Sequence, residues 1–166
     1  MAHRFLAWLI SGMLLLTACA SGPEPAATPT VGPLPKVQDN PLADVTAVRT
    51  TGETGAYHFA VEISSPDRGC DQYADWWEIV TTEGELVYRR VLLHSHVDEQ
   101  PFERSGGPVD VDPDTTLWIR AHMHPDGYGG QAFTGTVSAG FHEAVLDPAF
   151  AAELSESPPL PADCAF

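Results

Sequence analysis

The chain has 166 residues and carries 23 Asp and Glu against 8 Lys and Arg, a formal net charge of −15 at pH 7 with histidine neutral. A surface this acidic repels phosphate, so nucleic acid and anionic lipid head groups are poor partners, while a cationic partner, a metal ion included, is permitted. The sequence has 3 cysteines and 7 histidines, and no zincin, Cys-x-x-Cys or nucleophile-elbow motif is present.

In chain order, Met1 to Ala18 reads as an address rather than as fold. Arg4 gives a basic start and Phe5 to Leu16 an apolar stretch, short for a membrane span and placed where a secretion signal belongs. Leu16-Thr17-Ala18-Cys19 follows directly and resembles the lipobox of bacterial lipoproteins. The resemblance implies cleavage before Cys19, a diacylglycerol on its sulfur and usually an acylated amine, acyl chains that together hold a chain on a bilayer. The other reading is an ordinary secretory signal with Cys19 unmodified. Ala20, standing where an Asp would resemble a retention signal, favours the outer membrane in a Gram-negative cell; otherwise the outer face of the cytoplasmic membrane is expected. Residues 19–40 are rich in proline and small residues and predict an extended tether. Residues 41–166 form one domain of ordinary size.

That domain reads as short alternating runs separated by Gly, Pro and Asp, the pattern of an all-β fold. Strands are expected at Val45–Arg49, at Tyr57–Ile63 with Tyr57, Phe59, Val61 and Ile63 inward, and at Tyr73–Thr82 with Trp76 and Trp77 on opposite sides. A tight turn at Thr82–Glu85 leads into Leu86–Val97. Then come Val109–Val111, Thr116–His124 and Phe133–Phe141, with a brief helical turn at Pro148–Leu154. About seven strands with tryptophan in the third suggest an immunoglobulin- or fibronectin-III-like β-sandwich; a small jelly roll or barrel shares the signature. In the fourth strand Val87, Val91, Leu93 and Val97 oppose Tyr88, Arg90, His94 and His96, and in the sixth Leu117, Ile119, Ala121 and Met123 oppose Trp118, Arg120, His122 and His124. A three-residue turn would set Glu78 opposite Arg90, joined by Arg120; a two-residue turn would shift the pairing by one.

Two runs end in His-x-His, His94-Ser95-His96 and His122-Met123-His124. A strand puts both imidazoles of such a pair on one face, and the sandwich topology brings both strand ends to one pole. His94, His96, His122 and His124, with Asp71 or Asp98 as the carboxylate, are therefore candidate ligands for one copper or zinc ion. The competing reading is a hydrogen-bonded cap in which neutral imidazoles hold the acidic loops. A third is a non-catalytic module binding an envelope protein or glycan, with Phe102, Tyr128 and Phe133 as aromatic anchors and Gly127, Gly129 and Gly130 keeping their loop adaptable. His94-Ser95-His96 with Glu99 partly resembles the cupin metal motif, but the spacing departs from it and no activity is carried over. Cys70 and Cys164 are expected to form one disulfide that pins the Pro-rich C-terminal tail; the alternative makes Cys70 a thiolate ligand.

Overall fold

A computed structural model describes residues 40–165. The signal segment 1–18, the lipidation candidate Cys19 and the tether up to residue 39 lie outside the described residues.

The described residues form eight strands in two antiparallel sheets. In the first, β1 (Asp44–Glu53), β2 (Ala56–Ser64) and β5 (Phe102–Val109) lie in the order β1-β2-β5. The second runs β4-β3-β6-β7-β8, with β3 at Tyr73–Thr81, β4 at Leu86–Val91, β6 at Leu117–His124, β7 at Ala132–Thr136 and β8 at Gly140–Ala144. The sheets share one core. Val45, Phe59, Val61 and Ile63 from the smaller sheet meet Trp77, Ile79, Leu117, Ile119 and Met123 from the larger, all fully buried. Each such aliphatic or aromatic side chain stabilises by about 1.5–3 kcal/mol relative to exposure. Alternation in β2, and the inward set Leu117, Ile119, Ala121 and Met123 of β6, produce these faces as expected.

Three expectations are corrected. Val109 is the end of β5, not the start of a short strand, and Ser105-Gly106-Gly107 lies inside β5. A Cβ on Gly106 would stand 2.7 Å from Tyr88 and 2.9 Å from Trp77, so glycine sits there because two rings press on the backbone. The run Phe133–Phe141 is two strands, β7 and β8, joined as a hairpin. The fourth strand ends at Val91, and its faces are reversed. A register shift between Ile79 and Val80 places Glu78 opposite Arg89 and Trp77 opposite Arg90. Tyr88 thus packs inward on Trp77, ring centroids 5.6 Å apart, and Arg89 turns outward. One extra residue in a strand suffices for this exchange of faces.

After β8 the chain crosses the outer face of the larger sheet as a strap. It contains a 3-10 turn, Ala152–Glu156, and ends at a disulfide between Cys164 and Cys70, Cα atoms 5.7 Å apart. The disulfide is the one expected, and it removes Cys70 from consideration as a thiolate ligand.

Candidate functional site

The strap is held from below by charge. Glu78 is fully buried on the outer face of β3, and its two carboxylate oxygens are divided between two arginines from the neighbouring strands. Arg89 Nε donates to one oxygen at 2.7 Å and Arg120 Nε to the other at 2.8 Å. Two guanidinium charges on one carboxylate leave donors over, and these cap the strap. Arg89 donates to the carbonyls of Leu154 (2.7 Å), Ser157 (2.5 Å) and Pro159 (3.2 Å), and Arg120 to those of Phe150 (2.5 Å) and Ala151 (3.0 Å). The planar fork of arginine suits this simultaneous use of several donors. The guanidinium of Arg89 lies 4.4 Å from the Trp76 ring centroid and that of Arg120 lies 3.6 Å from the Tyr128 ring.

Beside this cluster, lined by residues of β3 and β6 on one side and of the strap on the other, opens a cleft of about 680 Å³. His122 and Asp75 form its polar floor. His122 Nδ1 and Asp75 Oδ1 are 2.7 Å apart, and both residues are buried. The ring stacks on Trp76 at 3.8 Å and meets Tyr128 edge-on at 4.8 Å. Burial pushes the Asp75 carboxyl above its ordinary range, against the pull of the His122 hydrogen bond. Burial also drives the Tyr128 phenol up to about 12, reinforced by the Glu78 charge. With Nδ1 engaged by Asp75, Nε2 is the nitrogen of this cleft-lining ring that remains for a ligand. Among the described residues no serine hydroxyl or free thiol hydrogen-bonds His122, so the pair lacks the activated nucleophile that an acyl-transfer triad requires.

The other histidine pair lies in different surroundings. His96 is 2 % exposed and stacks on Phe102 at 3.7 Å, while His94 is exposed beside it with ring centroids 4.4 Å apart. Burial, then the nearby Arg104 and His94, hold the His96 pKa down at about 4, with Asp67 and Glu99 pulling it upward. Below the ordinary value of 6.5 an unfolded chain takes up a proton that the native ring refuses until about pH 4. Stability from this residue is complete above 6.5, falls through that window and is fully lost at its lower end. At about 1.4 kcal/mol per pKa unit the loss is on the order of 3 kcal/mol. Denaturant melts at neutral pH and near pH 4 should show that His96→Phe, which keeps a ring against Phe102, loses about that much less stability on acidification than the parent. Equal acid sensitivity in both would count against it.

The four-histidine centre is therefore not assembled. His122 and His124 line the cleft, whereas His94 and His96 line a separate pocket against β5. Among the described residues no group of three or more His, Cys, Asp and Glu is arranged to hold a metal. Asp71 is exposed, and the carboxylate that partners a histidine is Asp75. It stands at a register shift between Ala74 and Trp76, which strand alternation does not foresee. Phe102 is a core residue, 3 % exposed, and Phe133 is buried; neither is an anchor for a partner. Tyr128 does line the cleft. Gly129 and Gly130 serve close packing rather than adaptability: a Cβ on Gly129 would stand 2.9 Å from Leu42, and one on Gly130 2.0 Å from the Ala43 carbonyl oxygen. Sequence reading also missed Arg89, Glu156 and Asp163. The bulge hid the first, and the others become neighbours of the cleft only because the strap folds back.

Comparison with known proteins gives one relative to weigh. A protein of Halomicrobium mukohataei named "Putative lipoprotein" is 39% identical over 105 residues, covering 63% of this chain and 50% of that protein. The chain thus spans about half the length of the curated relative it matches. No family model matches the chain, and no solved structure matches it. Among the described residues no helix is long and apolar enough to cross a membrane.

Proposed function

We propose that the chain is a lipid-anchored binding module of the cell envelope, whose cleft takes a cationic group, an ammonium or guanidinium, presented by a protein partner. The anchor rests on Leu16-Thr17-Ala18-Cys19 and on the name carried by the Halomicrobium relative. The fold is read as immunoglobulin- or fibronectin-III-like from the strand orders β1-β2-β5 and β4-β3-β6-β7, with β8 added at the edge.

One observation carries the ligand reading. Asp75, Glu156 and Asp163 line a single cleft to which no arginine or lysine contributes. Carboxylates set among the low-dielectric walls of Tyr73, Trp76 and Tyr128 concentrate negative potential and favour a cation. In the tautomer that gives Nδ1–H to Asp75, Nε2 of His122 is an acceptor for an N–H donor, and charge-assisted bonds of this kind are the stronger ones.

Titration of arginine- and lysine-containing peptides, followed by intrinsic tryptophan fluorescence, tests the reading. Binding should saturate, weaken as salt is raised, and weaken further in Glu156→Gln and Asp163→Asn, both exposed positions whose side chains do not hold the fold. Absence of saturable binding by any cationic peptide rejects it. The same titration with Zn²⁺ and Cu²⁺ checks the metal expectation. Stoichiometric uptake that His122→Ala abolishes would replace the peptide cation by a metal in the cleft.

A further inference from the structure

We infer that the chain holds a second binding pocket, opposite in charge to the cleft, which takes the carboxylate of a short aliphatic acid. The pocket lies where β4, the edge of the larger sheet, approaches β5, the edge of the smaller, and has a volume of about 100 Å³. Arg90, Arg104, His94 and His96 line it together with the aliphatic side chains of Leu92 and Leu93, and no carboxylate does. In a chain with a net charge of −15, a pocket lined only by basic and aliphatic side chains stands against the general composition.

The buried imidazole supplies an independent pointer. His96 is 2 % exposed, and neither ring nitrogen has a hydrogen-bond partner among the described residues. Buried polar groups are nearly always satisfied, and an orphan of this kind indicates a missing partner. Asp67 is not that partner. Its carboxylate stands 3.9 Å from Nδ1 and already accepts from Ser65 Oγ, Ser95 Oγ and the backbone N–H groups of Ala74 and His96. Glu99 is engaged by Arg104 at 2.8 Å.

Donors for an anion are at hand. Arg104 spends NH1 on the Glu103 carbonyl and NH2 on Glu99, and Arg90 spends Nε on Ser105 and NH1 on Val91. A guanidinium carries five N–H groups, so each arginine keeps some free. One carboxylate could accept from them and from a His96 ring N–H. Size and lining choose the ligand class. About 100 Å³ is the liquid volume of roughly three water molecules, which suits a small anionic group, and the leucines favour a short apolar tail over a bare inorganic ion.

Imidazole NMR resonances of His94 and His96 in the purified full chain, titrated with butyrate, acetate, inorganic phosphate and neutral butanol, provide the test. Butyrate should give saturable shifts, acetate and phosphate weaker binding, and butanol none. Arg104→Gln should weaken butyrate by about tenfold or more, the worth of one charge-assisted hydrogen bond. Arg90→Gln, at an exposed side chain, should act in the same direction while leaving the melt unchanged. Tighter binding of phosphate than of butyrate would overturn the carboxylate assignment. No saturable shift with any anion, or shifts indifferent to both arginine substitutions, would overturn the pocket. Neither result bears on the cleft, which shares no residue with this pocket.

Discussion

Glu78→Gln is expected to destabilise the folded domain by about 3–5 kcal/mol, the range found when one partner of a buried ion pair is removed. Glu78 and Arg89 have fully buried side chains, and that of Arg120 is 4 % exposed. With the carboxylate present, the cluster carries two positive charges and one negative, and the excess is spread over carbonyl dipoles of the strap. Glutamine keeps the shape and one acceptor but leaves both guanidinium charges without a counter-ion in a buried setting. Urea melts followed by tryptophan fluorescence would read the loss through Trp76, against which Arg89 lies. A change within about 1 kcal/mol, the usual range of an exposed pair, would mean that the carbonyls alone hold the arginines.

Replacing Cys70 and Cys164 together by serine should cost on the order of 4 kcal/mol. In the chain-entropy model the loss grows with the loop that the bond closes, and the two cysteines are 94 residues apart in sequence. The consequence should be unevenly distributed. Residues 150–159 keep their arginine contacts, while the last residues are held besides the disulfide by the backbone bond from Ala165 N–H to Leu93 O at 2.6 Å. Hydrogen exchange should therefore rise first at the C-terminal end of the strap, and the cleft wall formed by Leu160 and Asp163 should open while both sheets stay protected. A double-serine chain with the stability of the parent, and an unaltered exchange pattern, would deny the disulfide this role.

The contrast between β2 and β4 shows which parts of this fold are legible in sequence. β2 reads correctly because one face meets the core and the other does not, so Tyr57, Phe59, Val61 and Ile63 are buried in alternation. β4 misleads because a single register shift exchanges its faces, and such a shift leaves no signature in composition. β5 hides behind Gly106 and Gly107, which read as punctuation until the rings pressing on Gly106 are seen. β3 is buried over almost its whole length because the strap covers its outer face, and nothing local to β3 announces that cover. At the site, His122, His124, Tyr128, Cys70 and Cys164 do converge on one cleft. Asp75 escaped, and the Glu78 cluster was read with Arg120 but with Arg90 in place of Arg89, because partners are set by sheet register, a long-range property that the run of residues around each does not encode.

On the proposed function, the cleft beneath the strap receives its ligand at the His122–Asp75 pair. Nitrogen NMR of the His122 ring, recorded while an arginine peptide is added, tests it most directly. A protonated Nδ1 throughout and an Nε2 resonance that moves and saturates in step with the fluorescence titration are expected. Peptide binding that leaves Nε2 unmoved, or a free protein with the proton on Nε2 and none on Nδ1, would contradict it.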